Sequence, residues 1–405
     1  MTATILWLAL ITMTIGGYFS GRARAIASVK GNEKLLHSRP NYYGWNVVVF
    51  TLIPALIVYL AFMLVNMGLA EGTNILGIGR VIAIGVGLAG LAYSMILTKS
   101  DYRARNVVES AIRWVLILAA SIAVLTTVGI VFSMIKESIR FFGMYSASQF
   151  FFGTEWAPSF SGNSSLGFLP LLWGTISISV VALAVAVPIG LFAAIYLSEY
   201  AGSKLRSIAK PLIELLAGIP TIVYGLFALT TFGPFLFAWF GDGGFLGVNW
   251  MTGARSIITA GMVMGIMLIP FVSSLSDDII NAVPQSLRDG SYGLGATQSE
   301  TVRQVVLPAA LPGIVGAILL AASRAIGETM IVVMGAGALA QISLNPFEAA
   351  TTITARIVAQ LTGDGDFASP ETLVAFALGL TLFFMTLCLN IFALYIVRKY
   401  REQYE

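Results

Sequence analysis

The chain has 405 residues, of which 57% are apolar and 11% charged, with a formal net charge of +3 at pH 7. A soluble domain carries roughly 25% charged residues, so this composition belongs to a polytopic membrane protein, and so small a net charge argues against a nucleic-acid partner. A single cysteine, Cys388, excludes an intramolecular disulfide. A single histidine, His37, set in a polar loop, excludes a His/Cys metal cluster.

In chain order, nine segments are long and apolar enough to cross a bilayer as helices, at roughly 20 residues each. They lie at 4–19, 45–65, 75–97, 114–135, 169–197, 212–240, 256–276, 313–335 and 373–397. The first has no basic residue before it, and Arg22 and Arg24 follow it. That order predicts an uncleaved span with its N-terminus outside. Pro54, Pro188 and Pro220 fall inside spans, which membrane helices tolerate when neighbours satisfy the freed carbonyls. With the N-terminus outside, 17 lysines and arginines fall on the cytoplasmic side and 5 outside, leaving Arg324 within a span. This asymmetry predicts nine spans and a cytoplasmic C-terminus.

The chain divides after the third span. Residues 1–105 form a three-span unit ending in the charged linker KSDYRARNVVESAIR (99–113), and residues 106–405 form a six-span unit with long polar loops. GVGLAG (85–90) matches a dinucleotide pattern, but that pattern needs a strand before it and a helix after it. Inside an apolar span it predicts close helix packing instead. GMVMG (261–265) predicts the same. NSS at Asn163 matches a glycosylation sequon. No GxxxxGK[ST], GxSxG or HExxH occurs, so any ATP hydrolysis that transport needs belongs to another chain.

The loop at 277–312, DDIINAVPQSLRDGSYGLGATQSETVRQVVLPAALP, is long and breaks twice at proline. Pro284 suits a helix first turn. Thr297 and Glu300 predict a capping box for a short helix at 298–306. Small residues crowd 290–296, where a partner surface can approach the backbone closely. This loop resembles the signature of ABC-importer permeases, E-A-A-x3-G-x9-I-x-L-P. Asp289, Gly290 and Ser291 stand at the E-A-A positions, followed by Gly295, Val305, Leu307 and Pro308. Asp replaces Glu and neither alanine is kept, but the spacing is complete. The resemblance implies that Asp289 to Gly295 dock into a groove of an ATP-hydrolysing subunit.

FFGTEWAPSFSGNSSLGFLPLLWGT (151–175), ELLAGIPTIVYGLFAL (214–229) and SRAIGETM (323–330) resemble the phosphate-specific ABC importer, and the GTEW segment its C-type permease subunit. The resemblance covers roughly 110–400, and the first hundred residues look like an added three-span extension. It implies an all-α six-helix permease core and a bacterial inner-membrane location. It also implies a second, A-type permease, two ATP-binding subunits and a periplasmic phosphate-binding protein as partners, with inorganic phosphate as substrate and no cofactor.

Arg324 and Glu328 lie one helical turn apart in an apolar segment. An arginine at mid-membrane costs on the order of 2.5–3.5 kcal/mol. Arginine offers a planar fork for phosphate, so the pair is expected to line the substrate pathway, with Glu328 orienting the guanidinium. The plainer reading is a structural i,i+4 ion pair, although basic-before-acidic is its weaker order. A secondary transporter or channel for an oxyanion, using the pair as an ion site, is the alternative function, and a membrane scaffold a third. Neither needs a docking loop. Glu214 is expected to satisfy a helix N-terminus, and Arg356 and Asp364 to be solvated in an outer loop.

Overall fold

The computed structural model describes residues 3–67, 75–159, 164–363 and 369–401. Among them, nine helices are long and apolar enough to cross a membrane. The chain packs as two compact units, Met1–Val128 and Gly129–Glu405.

In the first unit, α1 (Ala3–Ser28), α2 (Pro40–Met67) and α3 (Leu76–Leu97) pack against one another, followed by the start of α4 (Ala104–Met144). Leu6, Leu10, Ala55 and Ala83 form its core. Small residues let the backbones close up, as GVGLAG predicts. A side chain at Gly90 would collide with the Phe50 carbonyl, and one at Gly87 would meet Met13 and Leu10. The buried Asn46 amide donates to Ser94 at 2.8 Å, and the Tyr102 hydroxyl donates to Asn46 at 3.3 Å. The Tyr43 hydroxyl donates to the carbonyls of Ser100 and Tyr102. These bonds satisfy polar groups that apolar surroundings would otherwise penalise. His37 is exposed in the loop before α2.

In the second unit, α5 (Ala147–Phe152) leads to β1 (Trp156–Ala157), which pairs antiparallel with β2 (Ser165–Leu166). Asn163 lies outside the described residues. There follow α6 (Leu169–Ile195), α7 (Ser203–Ala217), α8 (Thr221–Phe227), α9 (Gly233–Phe240) and α10 (Ile257–Asn281). Next come α11 (Gln285–Gly293), α12 (Gln298–Thr301), α13 (Leu307–Ile326), α14 (Met330–Gly335), α15 (Ile353–Gly363) and α16 (Pro370–Arg401). The most buried span is α10, whose closest partner is α6. Gly261 and Gly265 make that approach possible, because a Cβ on them would meet Val181 and Val185 within 2.8 Å. Ile178, Ala182, Val263, Met264 and Ala321 lie in the resulting core.

Two expected spans are cut differently. The segment 212–240 is not one helix: α7 ends at Gly218, and the sixth span runs from Thr221 to Phe240. Pro220 drives Ile219 out of helical conformation and starts α8 as its N-cap instead of sitting inside a span. α7 is amphipathic, with Leu205, Ile208, Leu212 and Leu215 on one exposed stripe. Glu214 therefore lies near the C-terminus of α7, where the helix dipole disfavours an acid, and the expected N-terminal role does not hold.

The eighth span runs from Gln298 to Ile326 rather than from 313 to 335. Pro308 and Pro312 do not break it. A π-helical turn at Val302–Val306 immediately precedes Leu307 and Pro308. Another, at Ala228–Phe232, precedes Gly233 and Pro234. Proline has no N–H and presses on the carbonyl four residues back. A wider turn accommodates both defects without ending the helix.

Candidate functional site

The eighth span stops just after Arg324. Gly327 is the C-cap of α13, and the Glu328 N–H donates to the Ala325 carbonyl at 3.2 Å. Glycine here favours termination, since it loses most entropy in a helix. The next helix, α14, begins three residues later. Arg324 thus occupies a last turn, where a cation suits the helix dipole. Its side chain is exposed, and its guanidinium carbon stands 5.7 Å from the centroid of the Phe271 ring on α10, a cation–π approach.

Glu328 has a different task from the expected one. Its Oε1 accepts the Met330 N–H at 3.0 Å, with the Ile331 N–H at 3.5 Å, so the carboxylate caps α14. No ion pair joins it to Arg324 among the described residues. The structural i,i+4 pair and the orienting role for Glu328 both fail for one reason. Both assume a continuous helix, and the helix ends between the two residues.

A further group secures this break. The Thr354 hydroxyl, on α15, donates to the Glu328 carbonyl at 2.7 Å and stands 3.0 Å from the Thr352 hydroxyl. Both threonines are buried. Thr354 supplies a donor to a carbonyl that the interrupted helix leaves without its own. Arg356, two residues on, is half-buried rather than solvated. It donates to the Ala338 carbonyl, and burial lowers its pKa from the ordinary arginine value. Asp364 lies outside the described residues.

The second site is the hairpin formed by α11 and the start of α12. Pro284 is the N-cap of α11. Gly295 turns the chain with φ of +89°, a conformation that disfavours side chains. The capping box at Thr297 and Glu300 is present, with the Thr297 N–H donating to Glu300 at 2.8 Å. Asp289 and Gly290 lie exposed on α11, beside the 92%-exposed Leu294. A Cβ at Gly290, Gly293 or Gly295 would meet open space, so this face is free to take a partner. Ser291 pairs with Thr301 at 2.9 Å, holding the hairpin closed. Leu307 packs with the cluster around Ala194, Ile280 and Ile314, while Pro308 stays exposed beside it. These two support the hairpin from below its tip.

Sequence reasoning missed what anchors the hairpin. The Arg288 guanidinium donates to Glu199 at 2.8 Å and to the carbonyls of Val283 and Ile280 at 2.6 and 2.8 Å. The pair's side chains are 9% and 8% exposed. Glu199 closes the π-helical end of the fifth span, 89 residues earlier, and nothing in the sequence links the two. A second network is equally silent. Asp277, 2% exposed, accepts from Arg206 at 3.0 Å, Lys210 at 2.7 Å and Asn281 at 2.9 Å. It ties α7 to α10, and the hydrogen bond to Asp277 raises the Lys210 pKa.

Comparison with known proteins places these features. Residues 186–402 match the family model of a binding-protein-dependent transport system inner membrane component. Residues 7–75 match that of a phosphate ATP-binding cassette transporter. A probable ABC transporter permease of Bacillus subtilis is 32% identical over 288 residues, 71% of this chain and 87% of that protein. The phosphate transport system permease protein PstC of Mesorhizobium japonicum is 34% identical over 294 residues, 69% and 88% of the two chains. A chain of a bacterial alginate ABC transporter shares the fold, with a TM-score of 0.50 at 14% identity over 74% of this chain and 99% of that one. With nine helices among the described residues long and apolar enough to cross a membrane, and relatives that are named permeases, this chain belongs to the PstC family of ABC-importer permeases and is a membrane transport subunit rather than an enzyme.

Proposed function

We propose that this permease moves inorganic phosphate into the cytoplasm and that Arg324 lines its pathway. The observation that carries the reading is the end of α13. Arg324 is exposed, rests on Phe271 and has no carboxylate partner among the described residues. A guanidinium so placed keeps its fork free for a phosphate oxyanion. Glu328 acts one step removed. By capping α14 it holds the helix break that presents Arg324, and its charge lies on the same short segment. The chemistry needs no covalent step. Phosphate exchanges part of its water shell for the guanidinium and leaves when the pathway changes access, a population shift between two states.

Importer permeases work with an ATPase and a binding protein. In this reading the complex holds one A-type permease beside this chain, two ATP-binding subunits and a periplasmic phosphate-binding protein. The tip of α11, with Asp289, Gly290, Ser291 and Gly295, seats in the ATPase, and Leu307 and Pro308 brace it. The N-terminus lies outside and the hairpin and C-terminus are cytoplasmic, in the inner membrane. Residues 1–105 form an extension and 106–405 the transport core.

The test is labelled-phosphate uptake by the assembled complex carrying Arg324→Gln. Uptake is expected to be lost while ATP hydrolysis persists, and Arg324→Lys to be impaired because a point charge lacks the fork. Near-normal uptake by Arg324→Gln would remove this residue from the pathway. The family assignment disfavours a secondary transporter, which needs no docking hairpin.

A further inference from the structure

A groove of about 610 Å³ runs between α2 and the first three turns of α4, within the first unit. The two helices are tied together at one end. The Arg105 N–H donates to the Ser38 hydroxyl at 3.2 Å, and the Tyr42 hydroxyl donates to Glu109 at 3.4 Å. Beyond that end they leave a cleft walled by Val49, Leu52 and Ile53 on α2 and by Ala111, Ile112 and Leu116 on α4. Trp45, Ile112 and Leu116 remain about half or more exposed, so the cleft is unfilled. Its mouth is polar: Arg39, Asn41 and Tyr42 line it. Arg39 is exposed and has no carboxylate within ion-pair distance among the described residues. The acid nearest the mouth, Glu109 on α4, does not line the groove and is already held by Arg105 at 2.6 Å.

We propose that this groove is a binding site for one anionic phospholipid, with its headgroup phosphate on Arg39 and an acyl chain along the aliphatic walls. Three features select that occupant. The charge layout is that of a lipid: a guanidinium with the polar Asn41 and Tyr42 at one end, then aliphatic walls. A phosphodiester oxygen suits the guanidinium fork, and basic groups beside a span attract anionic headgroups. The depth is that of one leaflet. From Arg39 to Ile53 is about 21 Å at 1.5 Å per residue, and half of a bilayer with its headgroups is roughly 20–22 Å. A partner's transmembrane helix would need a groove crossing the whole hydrocarbon layer, about 30 Å, and this one ends at Ile53 and Leu116. Finally, Trp45 stands near the mouth, at the level where an indole favours the membrane interface.

The test uses the full importer complex in nanodiscs containing photoactivatable phosphatidylglycerol or phosphatidylethanolamine, each with a diazirine on the acyl chain. Labelling of peptides covering 49–53 and 108–116 is expected to be severalfold stronger with phosphatidylglycerol. Arg39→Gln should bring the two lipids level. Ala111→Trp, which fills the cleft, should remove labelling by both. Equal labelling of the unmodified complex by the two lipids, or no labelling because a partner subunit covers the cleft, overturns the proposal. So does an Arg39→Gln complex that keeps its headgroup preference. Should Ala111→Trp fail to insert, Arg39→Gln decides the matter alone, since an exposed side chain at a helix end does not threaten folding.

Discussion

Removing Arg288 should uncouple the α11 hairpin from the rest of the permease. Arg288→Met keeps the side chain's length but leaves Glu199 charged and 8% exposed without its partner. It also strips donors from the carbonyls of Val283 and Ile280. Breaking a buried ion pair from one side costs roughly 3–5 kcal/mol. The lost carbonyl bonds overlap with that figure, so about 3 kcal/mol is a conservative floor. At 1.4 kcal/mol per factor of ten, α11 then leaves its seat on the end of the fifth span about two orders of magnitude more often. Hydrogen exchange of residues 285–297 in the assembled complex reads this directly, with protection falling by roughly the same factor. Phosphate uptake should fall with it while basal ATP hydrolysis continues. Adding Glu199→Leu to Arg288→Met should restore part of the protection, because an apolar pair leaves no buried charge. Unchanged exchange in Arg288→Met would refute the anchoring role. A double variant no better than the single would show that the cost does not lie in the stranded carboxylate.

Three further outcomes are expected. Thr354→Val leaves the Glu328 carbonyl without its donor, at a cost of about 1–3 kcal/mol. The KM for phosphate should rise while ATP hydrolysis is kept, Thr354→Ser should behave as the native chain, and equal KM values for Val and Ser would exclude the hydroxyl. Gly290→Ala should be neutral to slightly stabilising, as alanine favours a helix by up to about 1 kcal/mol over glycine. Gly290→Trp, pointing into open space, should block ATPase binding in a pull-down; normal binding would move the docking face elsewhere on the hairpin, and Gly290 separates these effects more cleanly than Gly295 because its φ is not positive. A chain restricted to 106–405 should keep measurable uptake once assembled, and full assembly without any uptake would assign the extension a part in transport.

The sequence by itself determined the number of spans and the helical hairpin at 285–301, because these depend on local properties. Twenty apolar residues need a bilayer, and a capping box closes over three residues. GVGLAG and GMVMG were legible as packing seams for the same reason. What the tertiary structure alone decided lies where distant segments meet or where a helix chooses to stop. Gly327 ends α13 between Arg324 and Glu328, which turns an apparent ion pair into two separately capped helix ends. Pro220 begins a new helix after the break at Gly218 and Ile219, while Pro308 follows a π turn inside a continuing span. Glu199 with Arg288, Asp277 with Arg206 and Lys210, and Glu328 with Thr354 are joined across 26 to 89 residues. A charge far from its partner in the chain has no periodicity, and only folding reveals which burial each one offsets.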